Sequence, residues 1–185
     1  MVAHIISVGT ELLLGEVVNT NATFIANELK NIGISVYRIN TLGDNEGRLL
    51  EELKSAYEKS DIIITTGGLG PTKDDLTKET IAKSLNLEMI LVKEEVEKLK
   101  IWFKNRMQEL NQGNLSQAYF PKDSKIIDNF NGTASGCIIE NRGKIIIILP
   151  GPPREMKPMM INTVIPYLQK FSSKYFAHKT INVIG

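Results

Sequence analysis

The chain has 185 residues, of which 42% are hydrophobic and 23% charged, so it can bury one core and is typical of a single soluble domain. Lysine and arginine total 22 against 21 acidic residues, which excludes a strong overall field for nucleic acid or an anionic membrane. The single cysteine, the missing signal peptide and the absence of a membrane-length apolar run predict a cytoplasmic protein.

The first β-α unit begins with a strand predicted over Val2–Val8. Gly9, Thr10 and Glu11 follow at its carboxyl end, where open α/β sheets place their ligands. Residues 12–15 are apolar but short, and we expect a loop or turn there. A helix follows, with its N-cap among residues 19–21 and a glycine at position 33 suited to its C-terminal end.

The second unit has a strand predicted over residues 34–42, then the polar turn 43–47, then an amphipathic helix marked by Leu49 and Leu53. Asp44 or Asn45 can serve simply as the helix cap, so the residues alone leave the role of Asp44 open.

The third unit carries the most informative stretch of the chain. Residues 62–64 are three isoleucines, which favours a strand buried on both faces, and the strand is predicted to end at Gly67, Gly68 and Gly70. A helix is predicted from about residues 72–75 to Leu85. A glycine turn before a helix gathers unpaired N–H groups and can receive a phosphate or carboxylate.

This glycine turn matches neither common nucleotide loop. A Walker loop needs glycine directly before its lysine, whereas Thr72 precedes Lys73; the dinucleotide fingerprint needs a third glycine where Lys73 stands. In one interpretation the turn binds an anion, with Asp74 and Asp75 at its rim. In the other, Thr72 caps the helix with Asp75 as its partner, and Asp74 is a surface acid. The local pattern leaves both open.

The remaining chain is predicted to contain a long helix over residues 92–110, a polar connection at 112–121 with a short helical turn, and three strands. These strands cover residues 126–127, 136–140 and 144–149, with a hairpin turn at 141–143. Cys137 falls inside a strand and is expected to be inert. Gly151 and Arg154 in the following Gly/Pro loop are candidate ligand contacts, although a rigid helix start explains that loop equally well. Pro158 and Pro166 predict a short or kinked last helix.

Five loops together resemble the CinA family, the competence/damage-inducible protein A group, and more distantly the MoaB/MogA-like molybdopterin-binding domains. They are SVGTELLLG at 7–15 with NTN at 19–21, LGDN at 42–45, GGLGPTKDDLT at 67–77, NGTA at 131–134 and LPGPP at 149–153. The resemblance covers essentially the whole chain and implies a three-layer α/β/α fold around a mostly parallel mixed sheet.

For CinA-like proteins the resemblance also implies a metal-dependent hydrolase that cleaves ADP-ribose to AMP and ribose 5-phosphate. It makes Asp44 and Asp75 the catalytic candidates, and Glu11, Asp44, Asp74 and Asp75 the ligands of a divalent cation such as Mg, Mn or Co, whose preference is for oxygen. The candidate substrate-binding residues are Gly9, Thr10, Asn19, Asn21, Gly67, Gly68, Gly70, Lys73, Thr77, Asn131, Gly132, Thr133, Gly151 and Arg154.

Two other functions stay open at this point: a molybdopterin-binding or adenylating module of cofactor assembly, and a non-catalytic nucleotide-binding domain. The expected partners are ADP-ribose or a related nucleotide, a pterin, and further copies of the chain, with a dimer favoured over a trimer. Residues 1–171 are predicted to form the domain, and 172–185 to begin a truncated following segment. Nicotinamide mononucleotide deamidase activity belongs to a separate C-terminal domain in the family, so none is expected here.

Overall fold

The computed structural model describes residues 1–171, so the predicted segment 172–185 lies outside the described residues. Within this part the strands are β1 Val2–Val8, β2 Ser35–Leu42, β3 Ile62–Thr66, β4 Met89–Leu91, β5 Tyr119–Pro121, β6 Lys125–Ile127, β7 Gly136–Asn141 and β8 Lys144–Leu149. The helices are α1 Thr10–Leu13, α2 Thr20–Asn31, α3 Glu46–Lys59, α4 Thr77–Ser84, α5 Lys93–Lys104, α6 Gln112–Ser116, α7 Pro153–Met159 and α8 Ile165–Gln169, with a π-helical turn at Met160–Val164 between the last two.

The middle layer is a six-stranded sheet in the order β2-β1-β3-β8-β7-β6. The first four of these strands run parallel, β7 is antiparallel to β8, and β6 is antiparallel to β7. The predicted mostly parallel mixed sheet is therefore confirmed. Its parallel strands end at one edge, so the loops after β1, β3 and β8 meet there.

Isoleucines from the central strands form the cores on both faces of this sheet. Ile5 and Ile64 pack on one face with residues of α2 and α7, while Ile6 and Ile63 pack on the other with α3 and α4. Burying each such side chain contributes roughly 1.5–3 kcal/mol, which explains why the strands lack polar alternation. Helices on both faces give the predicted three layers.

Several local predictions are confirmed. The Asn19 side chain caps α2 by accepting a hydrogen bond from the Ala22 amide, and Gly33 just beyond that helix has a φ of 76°. The β7–β8 hairpin turns through Arg142 and Gly143, both with positive φ. The last helical segment is irregular between its two prolines, as expected.

Other local predictions were wrong. Residues 12–15 were expected to form a loop or turn; residues 14–15 do form a turn, but Thr10–Leu13 forms a short helix. The helix expected from residues 72–75 begins at Thr77, and the helix expected to reach residue 110 ends at Lys104. The pairing of β4 with β5 as a separate two-stranded ribbon was not predicted.

Among the helices of residues 1–171, none is both long enough and apolar enough to cross a membrane.

Candidate active-site groove

A groove of about 490 Å³ lies at the sheet edge where β1, β3 and β8 end. It contains ten of the residues singled out from the sequence, drawn from the loops after β1, β2, β3, β6 and β8. They are Gly9, Glu11, Asp44, Gly67, Gly68, Gly70, Asp74, Asp75, Thr133 and Gly151. Five separate stretches of chain, the same five that carry the resemblance, thus contribute residues to one groove.

Packing within the fold requires glycine at two positions of the turn after β3. Gly67 has a φ of 103°, and a Cβ added there would lie 1.9 Å from the Val8 carbonyl oxygen. At Gly68, with a φ of 65°, a Cβ would lie 2.2 Å from Oγ1 of Thr77. The Gly67 N–H also donates to the Leu149 carbonyl at 3.0 Å, so this amide is already used within the fold and is not offered to an anion.

Asn21, on α2, supports the groove from behind and lies outside its lining. Its Nδ2 donates to Oγ1 of Thr66 at 3.0 Å and to the Gly151 carbonyl at 2.6 Å, while Thr66 Oγ1 donates to the Pro150 carbonyl at 2.8 Å. These bonds fix the Gly/Pro loop after β8 against the end of β3. Thr77 acts in the same way, because its Oγ1 donates to the Gly67 carbonyl at 3.0 Å.

Asp44 is held at the groove by the short helix α1. Its Oδ2 accepts hydrogen bonds from the Thr10 amide at 2.9 Å and from Thr10 Oγ1 at 2.8 Å. The cap of α3 is Asn45, whose side chain accepts from the Arg48 amide. Asp44 is therefore not the helix cap, and its carboxylate lies beside the groove.

Asp75 has a matching arrangement on the other side. Its Oδ2 accepts from the Thr72 amide at 3.0 Å and from Thr72 Oγ1 at 2.6 Å. Because α4 begins only at Thr77, this bond closes a turn before the helix and does not cap it. The interpretation of Thr72 and Asp75 as a helix cap therefore paired the right residues, but their hydrogen bonds close a turn before the helix.

Glu155 was missed as a site residue. It lies in the first turn of α7, lines the groove, and is 7% exposed. Asn129 Nδ2 donates to its Oε2 at 2.8 Å. The only sequence signal was an acid directly after the Gly/Pro loop of a buried strand, at a position where a surface residue of a helix start is equally expected.

Gln117, which also lines the groove, carried no sequence signal at all. Its Nε2 donates to the Leu69 carbonyl in the glycine turn at 3.1 Å. The ammonium of Lys78, on α4, donates to the carbonyls of Gln117 and Tyr119, each at 2.8 Å, and lies 4.1 Å from the centre of the Phe120 ring. Burial lowers the pKa of the Lys78 ammonium to about 8. The buried lysine thus fixes the segment that supports the glycine turn.

The remaining predicted contacts do not line the groove among the described residues. Asn131 Nδ2 donates to the Arg154 carbonyl at 3.0 Å, and the Arg154 and Lys73 side chains are exposed. The others outside the lining are Thr10, Asn19, Asn21, Thr77 and Gly132. Most of these residues hold the loops in place, which is a supporting role.

The electrostatic character of the groove is acidic. Five of its lining residues are carboxylates, Glu11, Asp44, Asp74, Asp75 and Glu155, and no lysine, arginine or histidine belongs to the lining. No three Asp, Glu, His or Cys side chains within residues 1–171 come close enough to form a metal cage. A divalent cation in this groove fits the mode in which one or two carboxylates are completed by ligand phosphates and water.

Comparison with known proteins identifies the family to which these loops belong. The model described as "Probable molybdopterin binding domain" matches residues 4–170. A "CinA-like protein" of Kosmotoga olearia is 50% identical over 100% of this chain, and a protein of Alkaliphilus oremlandii named "Putative competence-damage inducible protein" is 53% identical. The chain spans 45% of the length of each.

Solved structures give the same result. A crystal structure of the protein CinA, of unknown function, from Thermoplasma acidophilum has a TM-score of 0.81 and 36% identity over 92% of this chain and 96% of that one. The molybdopterin biosynthesis enzyme MoaB from Thermus thermophilus has a TM-score of 0.57 over 93% of this chain and 96% of that one. Since its identity is 19%, this second likeness shows the fold alone.

Proposed function

Because this chain belongs to the CinA family and carries its molybdopterin-binding-type domain, we propose that it is a cation-dependent hydrolase that cleaves ADP-ribose to AMP and ribose 5-phosphate. The observation that carries the proposal is the groove itself. It combines a glycine turn, where a phosphate can approach the backbone closely, with five carboxylates and no basic side chain. A diphosphate can enter such an acidic groove only together with a cation.

The chemistry of the lining residues fits a hard divalent cation such as Mg, Mn or Co, because every charged donor is a carboxylate oxygen. Glu11, Asp44, Asp74 and Asp75 are the candidates to hold it, one or two of them at a time, with phosphate oxygens and water completing its coordination. When bound, it would supply the positive charge that offsets the diphosphate.

The chain's own residues then have separable tasks. Asp44 and Asp75 each use Oδ2 to accept hydrogen bonds from a threonine, which orients the carboxylate without neutralising it. One of them accepts the proton of the attacking water. The water oxygen bonds to phosphorus, the bridging P–O bond breaks, and the two products are AMP and ribose 5-phosphate.

The test is a turnover assay on the purified 185-residue chain with ADP-ribose, with and without added Mg²⁺, Mn²⁺ or Co²⁺. Formation of AMP and ribose 5-phosphate in equal amounts, abolished by a chelator, is the expected result. Other nucleoside diphosphate derivatives in parallel reactions would identify the range of substrates. Absence of AMP with every cation would reject the hydrolase proposal.

A molybdopterin-binding module is the second candidate, favoured by the description of the matching family model. It predicts saturable binding of a pterin in the same groove with no hydrolysis of ADP-ribose. The chain spans 45% of the length of these curated relatives. Both candidate functions are therefore proposed for this domain, and not for a full-length relative. A cytoplasmic location and a homo-oligomer, with a dimer favoured over a trimer, stay predictions that fractionation and light scattering can test.

A further inference from the structure

Glu155 is the most deeply buried of the five groove carboxylates. It is 7% exposed, whereas Glu11, Asp44 and Asp74 are exposed side chains and Asp75 is intermediate. Removing a carboxylate from water without an ionic partner is costly. Its nearest cationic group among the described residues is Arg154 Nε, at 3.8 Å from Oε1, and that guanidinium is itself largely in solvent.

The surrounding loop is shaped around this carboxylate. Asn129 donates from Nδ2 to Oε2 of Glu155 at 2.8 Å and to the Ala134 carbonyl at 3.0 Å, so the amide links the acid to the loop backbone. At Gly132 a Cβ would lie 2.1 Å from the same Oε2, so the backbone covers the acid as closely as glycine allows. Asn131 completes the contact by donating to the Arg154 carbonyl.

These contacts use only one oxygen of the carboxylate. Oε1 of Glu155 accepts no hydrogen bond from the described residues, and Glu155 lines the groove. A second observation comes from the groove wall: Oε1 of Gln117 is buried without a hydrogen-bond partner among the described residues, and Gln117 is 3% exposed. Its amide cannot be reversed, because Nε2 must face the Leu69 carbonyl. A buried acceptor without a donor points to a ligand in the groove that its lone pairs can bind.

We propose that Glu155 is a ligand of the divalent cation in the groove, with its Oε2 fixed by Asn129 and its Oε1 directed to the ion. The inference rests on the cation dependence of the proposed function. It adds a carboxylate that the sequence motifs did not indicate. It also gives the loop at residues 129–134 a defined task, which is to hold this acid and not to contact phosphate.

Manganese binding tests the proposal independently of turnover. Free Mn²⁺ would be measured by electron paramagnetic resonance during titration of the wild-type chain, with and without AMP, and of the Glu155→Gln variant. Glutamine keeps the shape and can still accept from Asn129, so only the charge is removed. Glu58→Gln is the matched control, because Glu58 is exposed near the C-terminal end of α3 and outside the groove lining.

We expect Glu155→Gln to weaken Mn²⁺ binding by at least about tenfold, while Glu58→Gln binds as the wild type does. Unchanged affinity in Glu155→Gln, or a wild-type chain with no saturable Mn²⁺ site even with AMP, would overturn the inference. If the glutamine variant does not fold, Glu155→Asp withdraws the carboxylate by one methylene and must also bind Mn²⁺ more weakly. Wild-type Mn²⁺ binding without ADP-ribose hydrolysis would reject the enzyme proposal and leave the ligand assignment intact.

Discussion

Two aspartates at the groove share one geometry, in which Oδ2 accepts both the amide and the hydroxyl of a threonine. For Asp44 the partner is Thr10, and for Asp75 it is Thr72. In each pair the threonine orients the acid. The two pairs differ in how local they are: Thr72 belongs to the same turn as Asp75, whereas Thr10 lies on α1, 34 residues before Asp44.

The Asp75→Asn variant separates chemistry from structure at this position. The asparagine Oδ1 can still accept the Thr72 hydrogen bonds, so we expect the free energy of unfolding to fall by less than about 1 kcal/mol. ADP-ribose turnover should fall by at least roughly 100-fold, because a charged ligand or proton acceptor is lost. Thermal melts beside initial rates measure both effects. A stable variant with unchanged turnover would remove Asp75 from the mechanism.

At the scale of structural elements, the turn after β3 shows why glycine substitutions need care. Replacing Gly68 with valine would block a close approach of phosphate to the backbone, but the positive φ of Gly68 and its closeness to Thr77 mean that a side chain strains the fold itself. Such strain costs of order 1–3 kcal/mol. Loss of binding in that variant would therefore not locate the ligand.

Gly151→Ala is the better probe of the same groove. A Cβ at Gly151 would lie 3.5 Å from the Gly67 Cα, which is an ordinary contact, so the fold should tolerate it. The methyl group adds volume to the groove wall, and we expect weaker binding of AMP with a melting temperature close to that of the wild type. Calorimetric titration with AMP gives the affinity. Wild-type affinity in a folded variant would place the nucleotide elsewhere along the edge.

The link between α4 and β5 depends on Lys78, and this link should give stability a distinctive pH dependence. Burial lowers the pKa of Lys78 from 10.5 to about 8, so between these values the unfolded chain binds a proton that the folded chain has released. Stability from this group therefore rises with pH across that window. One pKa unit corresponds to about 1.4 kcal/mol, so the full effect is roughly 3 kcal/mol.

Urea unfolding of the wild type and of Lys78→Met at pH 7 and pH 9.5 measures this effect. The methionine variant lacks the titrating group, so the stability of the wild type relative to the variant should increase at the higher pH. Equal differences at the two pH values would mean that the ammonium has an ordinary pKa in the folded protein. Comparing the pair cancels the titration of groups common to both proteins.

What the sequence predicted at this scale depended on local signals. The isoleucine-rich strands, the glycine after α2 and the hairpin at Arg142 and Gly143 are specified by neighbouring residues, and these predictions are confirmed. The β4–β5 ribbon pairs two strands that are far apart in the chain. Each strand has three residues, which is too short to give a periodic pattern. Gln117 and Glu155 reach the groove only through tertiary packing, so no spacing rule indicates them.

At the scale of the whole molecule, the two helical layers leave the carboxyl edge of the sheet as the place where the loops converge. Residues behind that edge, such as Asn21 and Lys78, connect the helices to the loops that line the groove. Four of the predicted substrate contacts, Asn19, Asn21, Thr77 and Asn131, belong to this supporting set. The sequence motifs therefore marked the residues that build the groove as well as those that line it.

The last prediction is that this chain does not deamidate nicotinamide mononucleotide. Amide hydrolysis through a covalent intermediate needs an exposed nucleophile beside a base. Cys137 is fully buried and burial raises its pKa to about 12, so the thiol stays protonated at neutral pH. Ser7 and Ser135 are buried as well, at 0% and 5% exposed.

The histidine of the described part is no activating partner for these groups. His4 is buried in β1 with Nε2 at 3.0 Å from Oε1 of Glu52, on α3, and burial lowers its pKa. Ammonia release from nicotinamide mononucleotide, followed with a coupled assay on the purified chain, should equal the rate without protein. Sustained ammonia release that disappears in Cys137→Ala or Ser135→Ala would contradict this prediction and place amidase chemistry within this domain.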